Sequence, residues 1–136
     1  MYIFVYGTLR QGMRLHHYLF QDEFIGDAVL SDATMYDLGE YPAVVLRGNK
    51  NVYGELYFIT LATLRILDNL EGVSESEQES LFCRERQLVK LTNNNSVINA
   101  YIYVYNQIIM PDCTIVADGD YRLYLQRITK EGFYAR

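Results

Sequence analysis

Residues 2–6, YIFVY, are apolar or aromatic without interruption, and Gly7 stops the run. The run is too short to cross a bilayer or to form the apolar region of a signal peptide, and no basic segment leads into it. Short, aromatic, β-branched and closed by a glycine, it reads as a central β-strand. A central strand needs neighbours, and the chain supplies candidates. FIGDAVL (24–30), ATMYDL (33–38), AVVL (43–46) and VYGELYFI (52–59) are rich in valine, tyrosine and isoleucine, the residues that suit a pleated, half-buried surface. Gly39, Pro42 and the run Gly48-Asn49-Lys50-Asn51 punctuate them as turns. Gly54 inside VYGELYFI marks a bulge or a close approach of backbones. FCRERQLVKL (82–91) and SVINAYIYVYN (96–106) flank TNNN, which reads as a hairpin with an asparagine turn.

Between these strands the period changes. In TLATLRILDNLEG (60–72), Thr60 is placed to cap a helix of about three turns and Gly72 to end it. MRLHHYLF (13–20) reads as a short helix or helical turn with Leu15, Tyr18 and Leu19 on one face. His17 beside them reads as a packing residue rather than a catalyst. VSESEQES (73–80) is acidic and polar and reads as a mobile surface loop. ADGDY (117–121) is a further turn, and YRLYLQRITKEGFYAR (121–136) a short helix and tail. No linker or repeat divides the 136 residues, so residues 1–136 form one α+β domain, a mostly β core with one well-marked helix packed on it.

Composition removes several function classes. The net charge is −5 with scattered basic residues, which lacks the basic stripe that nucleic-acid binding uses. With no membrane span and no signal peptide, a cytoplasmic location is the expectation. Cys83 and Cys113 read as free thiols. With the adjacent His16 and His17 they lack the spacing of a zinc site.

One residue stands out chemically. At about 100° per residue, Glu71 lies i+7 from Leu64 and i+4 from Leu67, on the face that should be buried. Burial, the negative end of the helix and nearby Asp68 would all raise its pKa from about 4.3, toward the range that proton transfer at neutral pH uses. The other reading is that the helix ends early and both acids are solvated. Asp68 reads as structural, bonding a backbone or hydroxyl group.

VYGTLRQG after the first strand, His17, YPAVV (41–45), VYGELYFI, LDNLEG (67–72), FCRERQLV and GDY (119–121) together resemble the gamma-glutamylcyclotransferase-like family, which includes gamma-glutamylamine cyclotransferases and AIG2-like proteins. Phe82 stands where the family commonly has tyrosine, and Tyr121 where it has tryptophan. The resemblance implies a small mixed β-barrel with flanking short helices. It implies cleavage of a small-molecule gamma-glutamyl compound by attack of its own alpha-amine on the gamma-carbonyl, giving 5-oxoproline and a free amine or amino acid, with no metal or organic cofactor. It implies that the backbone of Tyr6, Gly7, Thr8 and Leu9 binds the substrate carboxylate, and that Glu71 carries the proton. Gly7 would leave room for close approach; Arg10 either adds charge or points into water. Two other readings stand beside this one: a non-catalytic anion-binding module on the same fold, which would leave Glu71 in solvent, and a thiol hydrolase using Cys83. The leaving group and oligomeric state are open.

Overall fold

A computed structural model describes residues 1–130. Strand β1 (Tyr2–Val5) is followed by a turn and a short 3-10 segment (His16–Leu19), then by two long strands, β2 (Glu23–Asp37) and β3 (Pro42–Phe58). Helix α1 (Leu61–Leu70) leads through a 3-10 turn (Glu77–Glu79) to β4 (Phe82–Leu91), β5 (Val97–Tyr105), the short β6 (Thr114–Ile115) and helix α2 (Tyr121–Lys130). The sheet runs β3-β1-β5-β4-β2-β6, and β2 also pairs with β3, so β1 to β5 close into a mixed barrel. Closure leaves these strands no open edge. Only β1 and β5 are parallel.

The apolar run at the N-terminus is explained by its neighbours. β1 sits between β3 and β5, and alternate residues serve different cores. Phe4, with Tyr6 just beyond the strand, joins the barrel interior with Leu30, Val52, Leu56 and Ile102. Ile3 and Val5 face the second cluster, where Leu64 and Leu67 of α1 pack with Tyr57 and Tyr103. β5 divides the same way: Ile102 and Val104 go inward, Tyr103 to the helix side.

The four short strands expected over 24–59 are two long ones. The Gly48–Asn51 run does not end a strand but distorts one. Ala33 pairs with Lys50 while Thr34 pairs with Val45, so residues 46–49 bulge out. Gly48 accepts the bulge with φ 101°, and Thr34 Oγ1 donates to the Arg47 carbonyl at 2.8 Å. The true reversal is at residues 38–41, where the Leu38 amide bonds the Tyr41 carbonyl at 3.1 Å. TNNN is a hairpin turn as expected, with Asn95 at φ 61°. Residues 73–80 expose their acids but close around Ser80, which is buried. Its hydroxyl accepts from the Ser74 amide at 2.8 Å, and its carbonyl accepts from Asn106 and Gln107. The 3-10 segment at 16–19 is shorter than the helical reading of 13–20, and Tyr18 is exposed while Leu19 is buried. Among the described residues no helix is long and apolar enough to cross a membrane. The expected tail beyond α2 lies outside the described residues.

Gly54 marks the close approach expected of it: a Cβ there would stand 2.3 Å from the Val5 carbonyl oxygen. Gly54→Ala should therefore cost about 1–3 kcal/mol by forced separation of β1 and β3. Urea unfolding would measure it, and an unchanged midpoint would contradict this packing.

Candidate active site

The turn that leaves β1 is shaped by its own carbonyls. Gly7 O accepts from the Arg10 amide at 3.1 Å, Thr8 O from the Leu15 amide at 2.9 Å, and Arg10 O from the Met13 amide at 3.0 Å. Leu9 O accepts from His16 Nδ1 at 2.9 Å. Among the described residues, none of these turn bonds uses the N–H of Gly7, Thr8 or Leu9 as donor. The turn thus keeps three donors close together, the arrangement that suits an anion.

Gly7 has a different reason from the one expected. A Cβ there would lie 2.6 Å from Cγ of Pro42, so what the missing side chain admits is the first residue of β3. Arg10 neither joins the cavity nor meets water. It is buried, with Nε 3.5 Å from Glu55 Oε2 and Nη1 2.9 Å from Asp120 Oδ1. Glu55 also accepts from the Gln11 amide and the Tyr57 hydroxyl, each at 2.9 Å. Asp120 in turn accepts from the Leu123 amide at 3.1 Å, capping α2. The GDY segment therefore anchors the turn from behind. The packing role given to His17 belongs to His16, whose ring lies against Phe20 and Tyr57. His17 is exposed, its ring tilted against that of Tyr18.

The end of α1 lines the same hollow as the turn. Thr60 caps its start, accepting from the Thr63 amide at 3.2 Å. At the other end the Gly72 amide bonds Asn69 O and the Val73 amide bonds Asp68 O, at 3.2 and 3.0 Å. That pair of bonds, with Gly72 at φ 67°, is a Schellman closure. It stops the helix at Leu70 and makes Glu71 the capping residue rather than a member of the last turn. The early end leaves Glu71 half-buried rather than in open solvent. Burial raises its pKa to about 7. Helix end and Asp68 were also expected to contribute, but burial alone accounts for the shift. Asp68 is engaged elsewhere: it pairs with Arg84 and accepts from the Tyr103 hydroxyl at 2.7 Å, the structural role read for it.

Turn and acid share one hollow of about 270 Å³. Tyr6, Gly7, Thr8, Leu9 and Glu71 all line it, so the structure brings the five expected site residues together. Tyr6 is wedged into the wall, its hydroxyl donating to the Tyr103 carbonyl at 2.6 Å. Burial, then the charge of Glu71, holds that hydroxyl well above the usual tyrosine pKa. The sequence reading missed Tyr103, Tyr41 and Arg14, which also line the hollow. The alternation of Tyr101, Tyr103 and Tyr105 in β5 was the available signal for Tyr103. Arg14 is the one cation on the lining, among the described residues, its Nη2 donating to the Glu40 carbonyl at 3.3 Å. Cys83 does not fit a nucleophile: partial burial, then Glu77 and Glu85, push its thiol pKa up, away from the reactive thiolate.

A family model described as gamma-glutamyl cyclotransferase, AIG2-like, matches residues 3–123. A putative gamma-glutamylcyclotransferase of Vibrio cholerae is 43% identical over 72 residues, covering 52% of this chain and 62% of that protein. The matched stretch is thus less than two thirds of that relative's length. A Niallia circulans protein named gamma-L-glutamyl-butirosin B gamma-glutamyl cyclotransferase is 30% identical over 107 residues, 77% of this chain and 67% of that one. The solution structure of protein ytfP from Escherichia coli matches with a TM-score of 0.62 and 32% identity, over 88% of this chain and 95% of that one.

The raised pKa of Glu71 has a consequence for stability. Its folded value, about 7, lies above the ordinary 4.5, so folding favours the protonated form. This contribution is complete below the unfolded pKa and is lost as pH rises through the folded one. Thermal melts should show Glu71→Gln gaining on the parent chain between pH 4 and pH 8. An equal difference at both pH values would contradict the desolvated carboxyl.

Proposed function

The chain belongs to the gamma-glutamyl cyclotransferase, AIG2-like family, and we propose that it cleaves a gamma-glutamyl amide, releasing 5-oxoproline and a free amine or amino acid. The observation that carries this reading is that Glu71, a carboxyl whose pKa burial raises, lines one small hollow with the turn Gly7 to Leu9.

The substrate's alpha-carboxylate sits against the N–H groups of Gly7, Thr8 and Leu9, with the ring of Tyr6 as wall and Arg14 adding charge at the side. That seat leaves the alpha-ammonium toward Glu71. An alpha-ammonium cannot attack a carbonyl, and an alpha-amine is largely protonated at neutral pH. The Glu71 carboxylate takes a proton from it. The freed amine forms a bond to the gamma-carbonyl carbon, closing a ring, and the carbonyl oxygen gains negative charge that backbone donors stabilise. Glu71 then gives its proton to the departing nitrogen as the carbon–nitrogen bond breaks. Over the cycle two protons leave the alpha-nitrogen and two reach the leaving nitrogen, so lactam and alkylammonium balance the reaction. General acid–base transfer supplies about 10²–10⁴ in rate, and the oriented intramolecular attack supplies more.

The lining position of Glu71 argues against a purely anion-binding module, and the raised thiol of Cys83 against a thiol hydrolase. A screen of gamma-glutamyl amino acids and amines, scored by 5-oxoproline release, tests the reading. The parent chain should turn over at least one member, and Glu71→Gln should lose about 10²-fold or more while keeping its fold by circular dichroism. Parent-level turnover in the variant would overturn the role of Glu71.

A further inference from the structure

The cluster behind the turn that leaves β1 holds two acids and two guanidiniums. Glu55 Oε2 meets Arg10 Nε at 3.5 Å and Arg122 Nη1 at 3.4 Å, and Asp120 Oδ1 meets Arg10 Nη1 at 2.9 Å. Neither arginine lines the hollow. Arg10 belongs to the turn and is buried. Arg122 comes from the first turn of α2 and is half-buried. A cation there lies at the positive end of the helix, where charge of that sign is unfavourable. Its placement has a reason outside the helix.

That reason is residue 11. The Gln11 amide donates to Glu55 Oε1 and the Gln11 carbonyl accepts from Arg122 Nη1, each at 2.9 Å. Both backbone groups of Gln11 are thus held by side chains of other elements, β3 and α2. Gln11 follows the turn directly, and the Arg10 amide between them bonds the Gly7 carbonyl. Fixing residue 11 therefore limits how residues 7–9 can turn. Charge adds a second effect. With Arg122 the cluster is balanced. Without it, Glu55 and Asp120 face Arg10 alone, and one negative charge is left over behind a turn that would receive a carboxylate. Like charges repel more strongly where burial reduces screening.

Resting on the cyclotransferase reading above, we infer that Arg122 is a positioning residue of the carboxylate seat. It touches no substrate. It holds the Gln11 carbonyl and supplies the charge that lets an anion approach the turn, so α2 acts on a site that it does not line.

The test uses 5-oxoproline and 2-pyrrolidinone, the same ring with and without the carboxylate. Each is titrated into nitrogen-15-labelled chain, and the amide resonances of Gly7, Thr8 and Leu9 report binding. Arg122→Gln can still donate to the Gln11 carbonyl but carries no charge; Arg122→Lys keeps the charge. 5-Oxoproline should bind about fivefold more weakly to Arg122→Gln and within about twofold of the parent chain to Arg122→Lys, the scale of a partly exposed charge. High salt should narrow the gap. 2-Pyrrolidinone should bind all three chains alike, whereas a general loosening of the fold would weaken both ligands together. Unchanged 5-oxoproline affinity in Arg122→Gln, equal loss in both variants, or a parallel loss of 2-pyrrolidinone would each overturn the role. So would 5-oxoproline leaving the three amide resonances of the parent chain unmoved, or loss of the native amide spectrum in Arg122→Gln, which would make the residue structural. Release of 5-oxoproline from gamma-glutamyl compounds by the parent chain is scored separately. Failure of release from every compound would sink the cyclotransferase reading, while the binding ratios would still decide Arg122.

Discussion

A carboxylate buried on the third strand holds the glycine turn in place. Glu55 is 1% exposed and receives the Arg10 guanidinium, the Gln11 amide, the Tyr57 hydroxyl and Arg122. Such clusters are weak sources of net stability, because desolvation of the charges offsets most of their attraction. Their effect is geometric. Removing one partner leaves a buried charge uncompensated, so turn, β3 and the start of α2 are held in one arrangement. The turn of Gly7 to Leu9 keeps its shape because the residues just after it, Arg10 and Gln11, are bound by Glu55.

The acid across the hollow is set by a different economy of local structure. Thr60 and Gly72 fix where α1 begins and ends, and the Schellman closure satisfies the last carbonyls without a cation. Glu71 is then carried into the space beside Tyr6 and Tyr103. No positive side chain is among the causes of its pKa shift, so burial prevails and the proton is held more tightly. Asp68, three residues earlier, has Arg84 and Tyr103 as partners. Two acids at the end of one short helix thus have different surroundings, Asp68 in an ion pair with Arg84 and Glu71 on the lining of the hollow.

Much of this was legible locally. The strand YIFVY, the caps Thr60 and Gly72, the TNNN turn and the close approach at Gly54 depend on residues near one another or on a single steric fact. Glu71 showed itself as an acid against the helix's apolar pattern. What the sequence concealed depends on distant partners. Arg10 read as a charge either beside the anion or in water because its partners Glu55 and Asp120 lie 45 and 110 residues away. The bulge at 46–49 read as a turn because register is decided by the facing strand. Gly7 read as room for a ligand because Pro42 approaches only after β3 has folded.

The central claim is that Glu71 is an acid poised near neutrality by burial. Carbon-13 NMR titration of its side-chain carboxyl measures this without reference to any substrate. The account predicts a midpoint at about 7. A midpoint near the ordinary 4.5 would show a solvated carboxylate and contradict it.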